Sequence, residues 1–244
     1  MGISIVVTGR GGVGKTTVTS NLGVALCKLD FSTVVVDGDI HLPNLGFHFK
    51  LEMAENNLHK VLNGEIALEH SFYDHPSGVV VIPGSSIIDE SLTVSTKRLP
   101  SIIESLSSQF DFVLIDAPPG IPLPIIEILP SCDAQLIVVE LGRFPLVTIE
   151  ELRKIGNAAK MTNFVVVNKY DGSEQMLKSF IAQIDDYLPI MGIIPYDKKI
   201  SSSIRLGVPY LYSNPKTHVS RCFIQLAEEI TKWRHGVKIR KLVG

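Results

Sequence analysis

Seven short runs of β-branched and other apolar residues recur along the chain, and most are apolar throughout instead of alternating with polar positions. Continuous apolar strands are typical of a parallel sheet with both faces covered, because neither side of such a strand meets water. The pattern therefore predicts seven strands. They span residues 3–8, 33–37, 79–82, 112–116, 135–139, 163–168 and 190–195.

The segments between these runs have helical spacing, and residues 39–78 have only weak periodicity that indicates short helices on the surface. The expected helices span residues 15–29, 92–110, 122–130, 147–160, 173–188 and 216–234. Pro100 predicts a break or kink, because proline clashes with the preceding helical turn. Alternating strands and helices predict a doubly wound α/β fold, with a mostly parallel sheet of about seven or eight strands and helices on both faces. We expect one domain over residues 1–244.

Composition and charge narrow the class of protein. The net charge of −2 over 244 residues gives no global basic field that would demand nucleic acid. The three cysteines, Cys27, Cys132 and Cys222, form no C-x-x-C pair, so one chain is not expected to build a zinc or iron–sulfur site. Neither a secretion signal nor a long apolar segment is visible. The expected location is cytoplasmic, with peripheral membrane contact left open.

A glycine-rich loop follows the first strand and leads directly into a helix. Its sequence, Gly9-Arg10-Gly11-Gly12-Val13-Gly14-Lys15-Thr16, matches the P-loop pattern. Glycines let backbone N–H groups approach phosphate oxygens, and the helix N-terminus favours the anion. Lys15 supplies charge for the β- and γ-phosphates, Thr16 a hydroxyl ligand for Mg²⁺, and Thr17 a bond to the α-phosphate.

Acidic residues end two further strands. Asp37 and Asp39 follow residues 33–36, and Asp116 ends a run of four apolar residues in the manner of a Walker B strand. We expect Asp39 to hold a magnesium-bound or attacking water, Asp116 to reach Mg²⁺ through water, and Asp37 to support them. Gly120, in the sequence Asp116-Ala-Pro-Pro-Gly120, can offer its N–H to the γ-phosphate and sense hydrolysis.

Two more strand ends supply a base-binding prediction. Asn168 offers an amide that can pair with adenine, and Pro195 and Asp197 follow the last strand. The sequence Asn168-Lys169-Tyr170-Asp171 also fits the spacing of a guanine-specific Asn-Lys-x-Asp motif. From the residues alone, ATP and GTP therefore both remain open.

These motifs, in this order and over nearly the whole chain, resemble the MinD/ParA family of deviant Walker A ATPases, most closely its MinD-like members. The resemblance implies ATP or ADP with Mg²⁺ as cofactors and an ATP-dependent homodimer with the nucleotides at its interface. It also implies that Asn168 and the Pro195 loop bind adenine, and that hydrolysis is slow and stimulated by an activator protein. Lys15, Asp39, Asp116 and Arg10 would then be the catalytic residues.

The sequence departs from the family's pattern in two places. Arg10 stands where the family has a signature lysine that reaches the partner's phosphates, and arginine keeps the charge with a different geometry. The segment Glu140-Leu-Gly-Arg143 stands where MinD-like chains often have Pro-Glu. This second departure concerns the surface that would meet an activator.

Three further expectations concern partners. The tail 233–244 interleaves basic and apolar residues and could contact a membrane, although Gly236 would interrupt a helix. A ParA-type DNA-partition ATPase and a metallocluster carrier with Cys132 at a dimer interface are the alternatives to a spatially organising ATPase, and DNA binding is the less favoured because of the charge. His41 and His48 are expected to be surface residues.

Overall fold

The core of the protein is an eight-stranded sheet, seen here in a computed structural model that describes residues 1–87, 94–120, 123–142, 145–184 and 187–236. The strand order is β3-β4-β2-β5-β1-β6-β7-β8, and every pair is parallel except β3 with β4. The strands are β1 Ile3–Thr8, β2 Thr33–Asp37, β3 Tyr73–Asp74, β4 Val80–Ile82, β5 Phe112–Asp116, β6 Ala134–Val139, β7 Thr162–Tyr170 and β8 Ile190–Pro195.

Helices cover both faces of the sheet in the described part of the chain. They are α1 Lys15–Lys28, α2 Leu58–Asn63, α3 Leu99–Gln109, α4 Leu123–Ile128, α5 Pro145–Ala158, α6 Glu174–Ile184, α7 Lys198–Arg205, α8 Tyr210–Ser213 and α9 His218–Arg234. Helices α1, α8 and α9 share one apolar cluster with the sheet, and two further clusters bury α2 to α4 and α5 with α6. The doubly wound, mostly parallel fold is thus confirmed.

The ends of the central strands define where a ligand can bind. Strands β2, β5 and β1 end at Asp37, Asp116 and Thr8, and the parallel register places these ends at one edge. Helix α1 begins at this edge and is buried on nearly all sides, between the sheet and α9. Open α/β sheets bind ligands at the carboxyl ends of their strands, so this edge is the place to look for a site.

Pro100 does not kink a helix as expected. It lies in the first turn of α3, where a proline is tolerated because the first backbone N–H groups of a helix have no acceptor within it. A 3₁₀ turn, Thr96–Arg98, precedes α3. The start of the expected helix 92–110 lies partly outside the described residues.

Three elements were not predicted from the pattern. Strand β3 has two residues and pairs antiparallel at the edge of the sheet, too short to show a period. Helices α7 and α8 follow β8, where the sequence shows a polar run and then prolines. The excursion at residues 39–78 does contain the expected short helices, namely α2 and the 3₁₀ turns Leu45–His48 and Leu68–Ser71.

The first two residues of the predicted tail 233–244 belong to helix α9. Trp233 stacks edge-on against Phe164 with ring centroids 5.1 Å apart, and Arg234 donates to Asp111 at 2.8 Å, so both residues belong to the packed end of α9. Gly236 has φ of +71° and lies two residues beyond the end of α9. Residues 237–244 lie outside the described residues, and membrane contact by the tail stays a prediction. Among the described helices, none is both long and apolar enough to cross a bilayer.

Candidate nucleotide site

The glycine-rich loop adopts a conformation that only glycine tolerates at two positions. Gly14 has φ of +93°, and a Cβ there would lie 2.4 Å from the amide nitrogen of Asn168. Gly9 has φ of +147°, and a Cβ there would lie 2.4 Å from the carbonyl oxygen of Val138. The loop therefore packs tightly on β6 and β7, and its backbone is free of side-chain bulk where an anion would approach.

Lys15 lies in the first turn of α1 and is only 8% exposed. Its ammonium donates to the carbonyl oxygen of Arg10 at 3.3 Å. Burial lowers the pKa of Lys15, while the nearby charges of Asp116 and Asp39 raise it. A cation held at the mouth of the loop beside two acids is suited to bind the oxygens of a polyphosphate.

Asp116 lies at the end of β5 and is bound by two hydroxyl groups of α1. Thr16 donates to one carboxylate oxygen at 2.6 Å and Thr19 to the other at 3.1 Å. Burial raises the pKa of Asp116 to about 6, against the opposing effects of Thr16 and Lys15. Because burial disfavours the charged form of this carboxylate, a cation bound nearby would stabilise that form.

The donor set fits Mg²⁺. Magnesium in nucleotide sites takes one or two protein oxygens and completes its shell with phosphate oxygens and water. Thr16 and Asp116 present a hydroxyl and a carboxylate within hydrogen-bonding distance of each other, and Asp39 lines the same cleft. No cluster of three or more His, Cys, Asp or Glu ligands occurs among the described residues, so an all-protein metal cage is not what they build.

Asp37 organises the loop that carries Asp39. It is fully buried, and its two carboxylate oxygens accept from the backbone N–H groups of Asp39 at 3.3 Å and Leu45 at 2.9 Å. Burial, with a contribution from Asp116, raises the pKa of Asp37 well above its usual range. Asp39 in turn accepts from the N–H of Leu42 at 3.1 Å. Asp37 therefore supports Asp39 through the backbone, as the sequence suggested.

The three residues predicted to bind the base, Asn168, Pro195 and Asp197, differ in the hydrogen bonds that their side chains already make. Asn168 lines the cleft and gives one amide N–H to the carbonyl oxygen of Val13 at 2.8 Å, which leaves its second N–H and its Oδ1 for a base. The carboxylate of Asp197 is already engaged, because it caps α7 at Lys199 and accepts from the hydroxyl of Tyr210 at 2.6 Å. Each of its two carboxylate oxygens thus already accepts one hydrogen bond from within the protein. Pro195 ends β8 just before this loop.

The sequence has the spacing of a guanine-specific Asn-Lys-x-Asp motif, but the structure does not place its acid at the cleft. Asp171 is exposed, accepts from the N–H of Ser173 at 3.0 Å, and is not among the described residues that line the cleft. A guanine-specific motif needs that carboxylate at the base. The structure thus favours adenine over guanine at Asn168.

These residues surround one cleft of about 620 Å³ at the carboxyl edge of the sheet. The cleft brings together the predicted residues Gly11, Gly12, Gly14, Lys15, Thr16, Thr17, Asp39, Asp116, Asn168 and Asp197. It also includes residues that the sequence analysis missed, namely Asn44, Phe47, His48, Lys169, Tyr196, Ile200, Ser201 and Ile204. The four-residue spacing of Ile200 and Ile204 after the capping residue Asp197 was the available signal for α7.

Arg10 and Gly120 lie beside the cleft and not in its lining. Arg10 is exposed and lines two neighbouring grooves, one with Glu140 and the other with Gly120 and Glu151. Gly120 has φ of +80° and open space around its Cα. Val13 is buried and lines the first of these grooves. The two residues predicted to respond to the γ-phosphate or to a partner are thus neighbours on the surface.

His48 is not a surface residue as expected. It is 6% exposed, bonds Ser20 of α1 through Nδ1 at 3.1 Å, and lines the cleft. Burial lowers the pKa of His48 to about 4. The 3₁₀ turn Leu45–His48 packs between α1 and α7. This packing joins distant segments, so the sequence pattern did not predict it.

We expect His48 to make folding stability depend on pH. Its folded pKa is about 4 against 6.5 when exposed, so below pH 6.5 the unfolded chain binds the extra proton and stability falls as pH falls toward 4. The free energy of unfolding should drop by about 2 kcal/mol from this group between pH 7.5 and pH 5. Urea unfolding at both pH values measures the drop, and His48→Gln should lose that share of it. Equal drops in the two proteins would show that His48 is not responsible.

Cys132 does not fit a metallocluster ligand. It precedes β6 at the amino edge of the sheet, opposite the P-loop edge, and is 7% exposed. Burial raises the pKa of its thiol to about 12, which disfavours the thiolate that binds metals. Neither its position nor its chemistry supports the carrier alternative.

Comparison with known proteins agrees with this site. Residues 4–210 match the model of the CobQ/CobB/MinD/ParA nucleotide binding domain. An uncharacterized ATP-binding protein of Methanocaldococcus jannaschii is 34% identical, over 93% of this chain and 87% of its own length. The septum site-determining protein MinD of Pyrococcus horikoshii, solved with Mg-ADP, superposes with a TM-score of 0.88 and 30% identity, over 96% of this chain and 98% of that one.

The MinC:MinD cell division complex of Aquifex aeolicus gives a TM-score of 0.79 and 25% identity, over 98% of both chains. The expected P-loop ATPase class and the expected cofactors, adenine nucleotide and Mg²⁺, are thereby confirmed at the level of the family. This chain belongs to the CobQ/CobB/MinD/ParA nucleotide-binding family, among its MinD-like members.

Proposed function

We propose that this protein is a MinD-like ATPase that binds Mg-ATP, dimerises with the nucleotide at the interface and hydrolyses ATP slowly to position a division site or another cargo. The observation that carries the proposal is the surface around the cleft. Arg10 is exposed at its rim, and no side-chain hydrogen bond or ion pair engages it within the described part of the chain. An unengaged guanidinium beside a phosphate site is suited to reach a second copy's nucleotide.

The residues of the cleft would divide the work as follows. The N–H groups of Gly11 to Gly14 and the ammonium of Lys15 would bind the phosphates. Thr16 and Asp116 would hold Mg²⁺, which supplies positive charge at the β- and γ-phosphates. Asp39 would orient the attacking water, since it lines the cleft on a loop fixed by Asp37. Stabilisation of the transferring phosphoryl group by fixed charges is the main catalytic contribution expected of such a site.

An activator protein would meet the surface beside Arg10. In the described residues this surface includes Glu140, Leu141 and the exposed side of α5 with Val147 and Glu151. The MinD of Aquifex aeolicus has been solved in complex with MinC. That relative supports a protein partner here, while Glu140 in place of the family's Pro-Glu pair points to a different partner surface.

The dimer is tested by light scattering coupled to size-exclusion chromatography. The protein alone and with Mg-ADP should elute as a monomer, and with Mg-ATP as a dimer that decays as ATP is consumed. Asp39→Asn should hold the ATP-bound dimer for longer, because it keeps the shape of the side chain but removes the charge that orients water. Asp30→Asn is the matched control, at an exposed acid at the end of α1.

If both the wild type and Asp39→Asn stay monomeric with Mg-ATP at every concentration, the dimer mechanism is wrong. Calorimetry on the same samples would then show whether the monomer binds ATP without dimerising. A dimer that forms equally with ADP would also contradict the proposal, since the γ-phosphate would have no effect.

One local feature keeps a ParA-type function as the second candidate. The segment 196–221 has five exposed cations and one acid, Asp197, whose carboxylate is already engaged. The cations are Lys198, Lys199, Arg205, Lys216 and Arg221. A net positive segment in a chain of net charge −2 could bind a polyanion without sequence preference. ATP-dependent retention on DNA that falls steeply with salt would favour this candidate over the first.

A further inference from the structure

The backbone carbonyl groups of two consecutive P-loop residues accept hydrogen bonds from the side chains of two consecutive residues at the end of β7. The amide of Asn168 donates to Val13 at 2.8 Å, and the ammonium of Lys169 donates to Gly12 at 2.5 Å. An anion-binding loop must turn its N–H groups toward the phosphate and its carbonyl oxygens away. Carbonyl groups turned away need donors of their own, and these two side chains supply them.

The backbone of Lys169 is itself unusual. Its φ is +54°, in the left-handed region that is unfavourable for a residue with a Cβ. The pairing of β7 with β8 shifts register between Val167 and Tyr170, at the same place. Strained conformations of this kind persist where the surrounding structure requires them, and they cluster at functional sites. At Lys169 this unusual backbone coincides with the contact of its ammonium with Gly12.

The ammonium of Lys169 has a second acceptor, the carboxylate of Glu140 at 3.3 Å. The two side chains are 37% and 22% exposed, so the pair is partly shielded from water. Glu140 directly follows β6 and precedes the segment that leads to α5. Lys169 therefore joins the P-loop to the start of the surface beside Arg10, and a neutral donor of the same length would not serve both acceptors as well.

We propose that Lys169 is a positioning residue of the nucleotide site, which holds the Gly12–Val13 peptide in its phosphate-binding conformation, and that Glu140 orients Lys169 for this task. The inference rests on the proposed function in one respect only, namely that this loop binds the nucleotide. Lys169 acts on the phosphates through the loop backbone. The effect should therefore appear in nucleotide affinity, for ADP and ATP alike, and not in the chemical step.

The test is calorimetric titration of Mg-ADP and a non-hydrolysable ATP analogue, combined with steady-state kinetics, on the full chain. Lys169→Ala should raise Kd for both nucleotides about tenfold, since it removes a charge-assisted hydrogen bond, and should leave kcat within about twofold. Lys169→Arg should recover most of the affinity, because it keeps a cationic donor. Lys178→Ala is the matched control, at a lysine whose side chain is 78% exposed and which pairs only weakly with Glu174 at 3.7 Å.

Glu140→Gln distinguishes positioning from direct contact with phosphate. If Lys169 positions the loop, removing its anionic partner should weaken binding about twofold. If Lys169 instead touches the phosphates, removing a competing anion should strengthen binding, and that result would overturn the inference.

Three outcomes separate this inference from the function it rests on. No nucleotide binding by the wild type would remove the proposed function itself. Normal wild-type binding with an unchanged Lys169→Ala variant would remove only the role of Lys169. A fall in the melting temperature of nucleotide-free Lys169→Ala by more than about 4 °C would indicate a role in folding, and it too would contradict a role confined to positioning.

Discussion

Lys15→Ala is expected to lower kcat/KM for ATP by about 10²–10³-fold, the largest single loss among residues lining the cleft. Lys15 lies close to two acids, Asp116 and Asp39, and the charge of each raises its pKa against the effect of burial. Without the ammonium, an incoming polyphosphate would meet these carboxylates with only Mg²⁺ to offset the repulsion. The loss should therefore appear in affinity as well as in turnover.

The loss in turnover is measured by phosphate-release kinetics, and the loss in affinity by calorimetric titration with Mg-ADP. Lys28→Ala is the matched control, because it removes an exposed lysine from the last turn of the same helix. Lys15→Arg should not restore activity, since a planar guanidinium is longer and the Lys15 side chain is only 8% exposed, which leaves little room for it. Activity of Lys15→Ala within about threefold of the wild type would show that this loop is not the phosphate site.

The fold could be predicted from the sequence because its signal is local. The central strands are short, mostly apolar runs that are buried along their whole length, as in Phe112–Asp116 and Ala134–Val139. The strand ends then place Asp37, Asp116 and the P-loop at one edge without further information. Motif and topology thus agree, and this agreement is why most of the residues predicted to bind the phosphates lie along one cleft.

The part of the cleft lined by Phe47 and His48 was not predicted, because it depends on packing between distant segments. His48 is buried only because its 3₁₀ turn lies against α1 and α7, and Phe47 lines the cleft for the same reason. Asp197 was predicted as a ligand from its position after β8, and it does line the cleft, but the spacing gave no sign that its carboxylate also caps a helix and accepts from Tyr210. Side-chain hydrogen bonds of this kind cannot be read from spacing along one chain.

Lys169 shows the same limit from the other direction. In the sequence it is only the second residue of a guanine-like motif, and the motif's Asp171 lies outside the cleft lining. The structure shows that its ammonium reaches Gly12, 157 positions away in the chain. A contact of that separation becomes visible only once β7 lies beside the P-loop.

Arg10→Ala is expected to lower turnover by about 10³-fold, the lower end of the range for an arginine that stabilises phosphoryl transfer, while binding of Mg-ADP stays unchanged. Within the residues that the structure describes, its backbone carbonyl accepts from Lys15 and no side-chain hydrogen bond or ion pair engages its guanidinium, which is exposed beside the cleft. Such a side chain contributes little within its own subunit. In an ATP-bound dimer it would face the other subunit's γ-phosphate, as the family's signature lysine does.

A mixing experiment decides whether Arg10 acts within its own subunit or across the dimer. Arg10→Ala has an intact Asp39 but donates no guanidinium, and Asp39→Asn donates Arg10 but cannot orient water. If Arg10 acts across the interface, mixed dimers contain one complete site, and an equal mixture should recover about a quarter of the wild-type rate under random pairing. If Arg10 acts within its own subunit, neither site in the mixed dimer is complete and the rate stays at the level of the variants.

Arg10→Lys and Arg221→Ala complete the design. Arg10→Lys introduces the lysine that the family has at this position. It should retain turnover near the wild-type level, because it keeps a positive charge there. Arg221 is exposed on α9, away from the cleft lining, so its loss should leave turnover unchanged. Wild-type turnover in Arg10→Ala would leave the dimer without a contribution from this side chain, and the unengaged guanidinium at the rim would then serve contact with an activator instead.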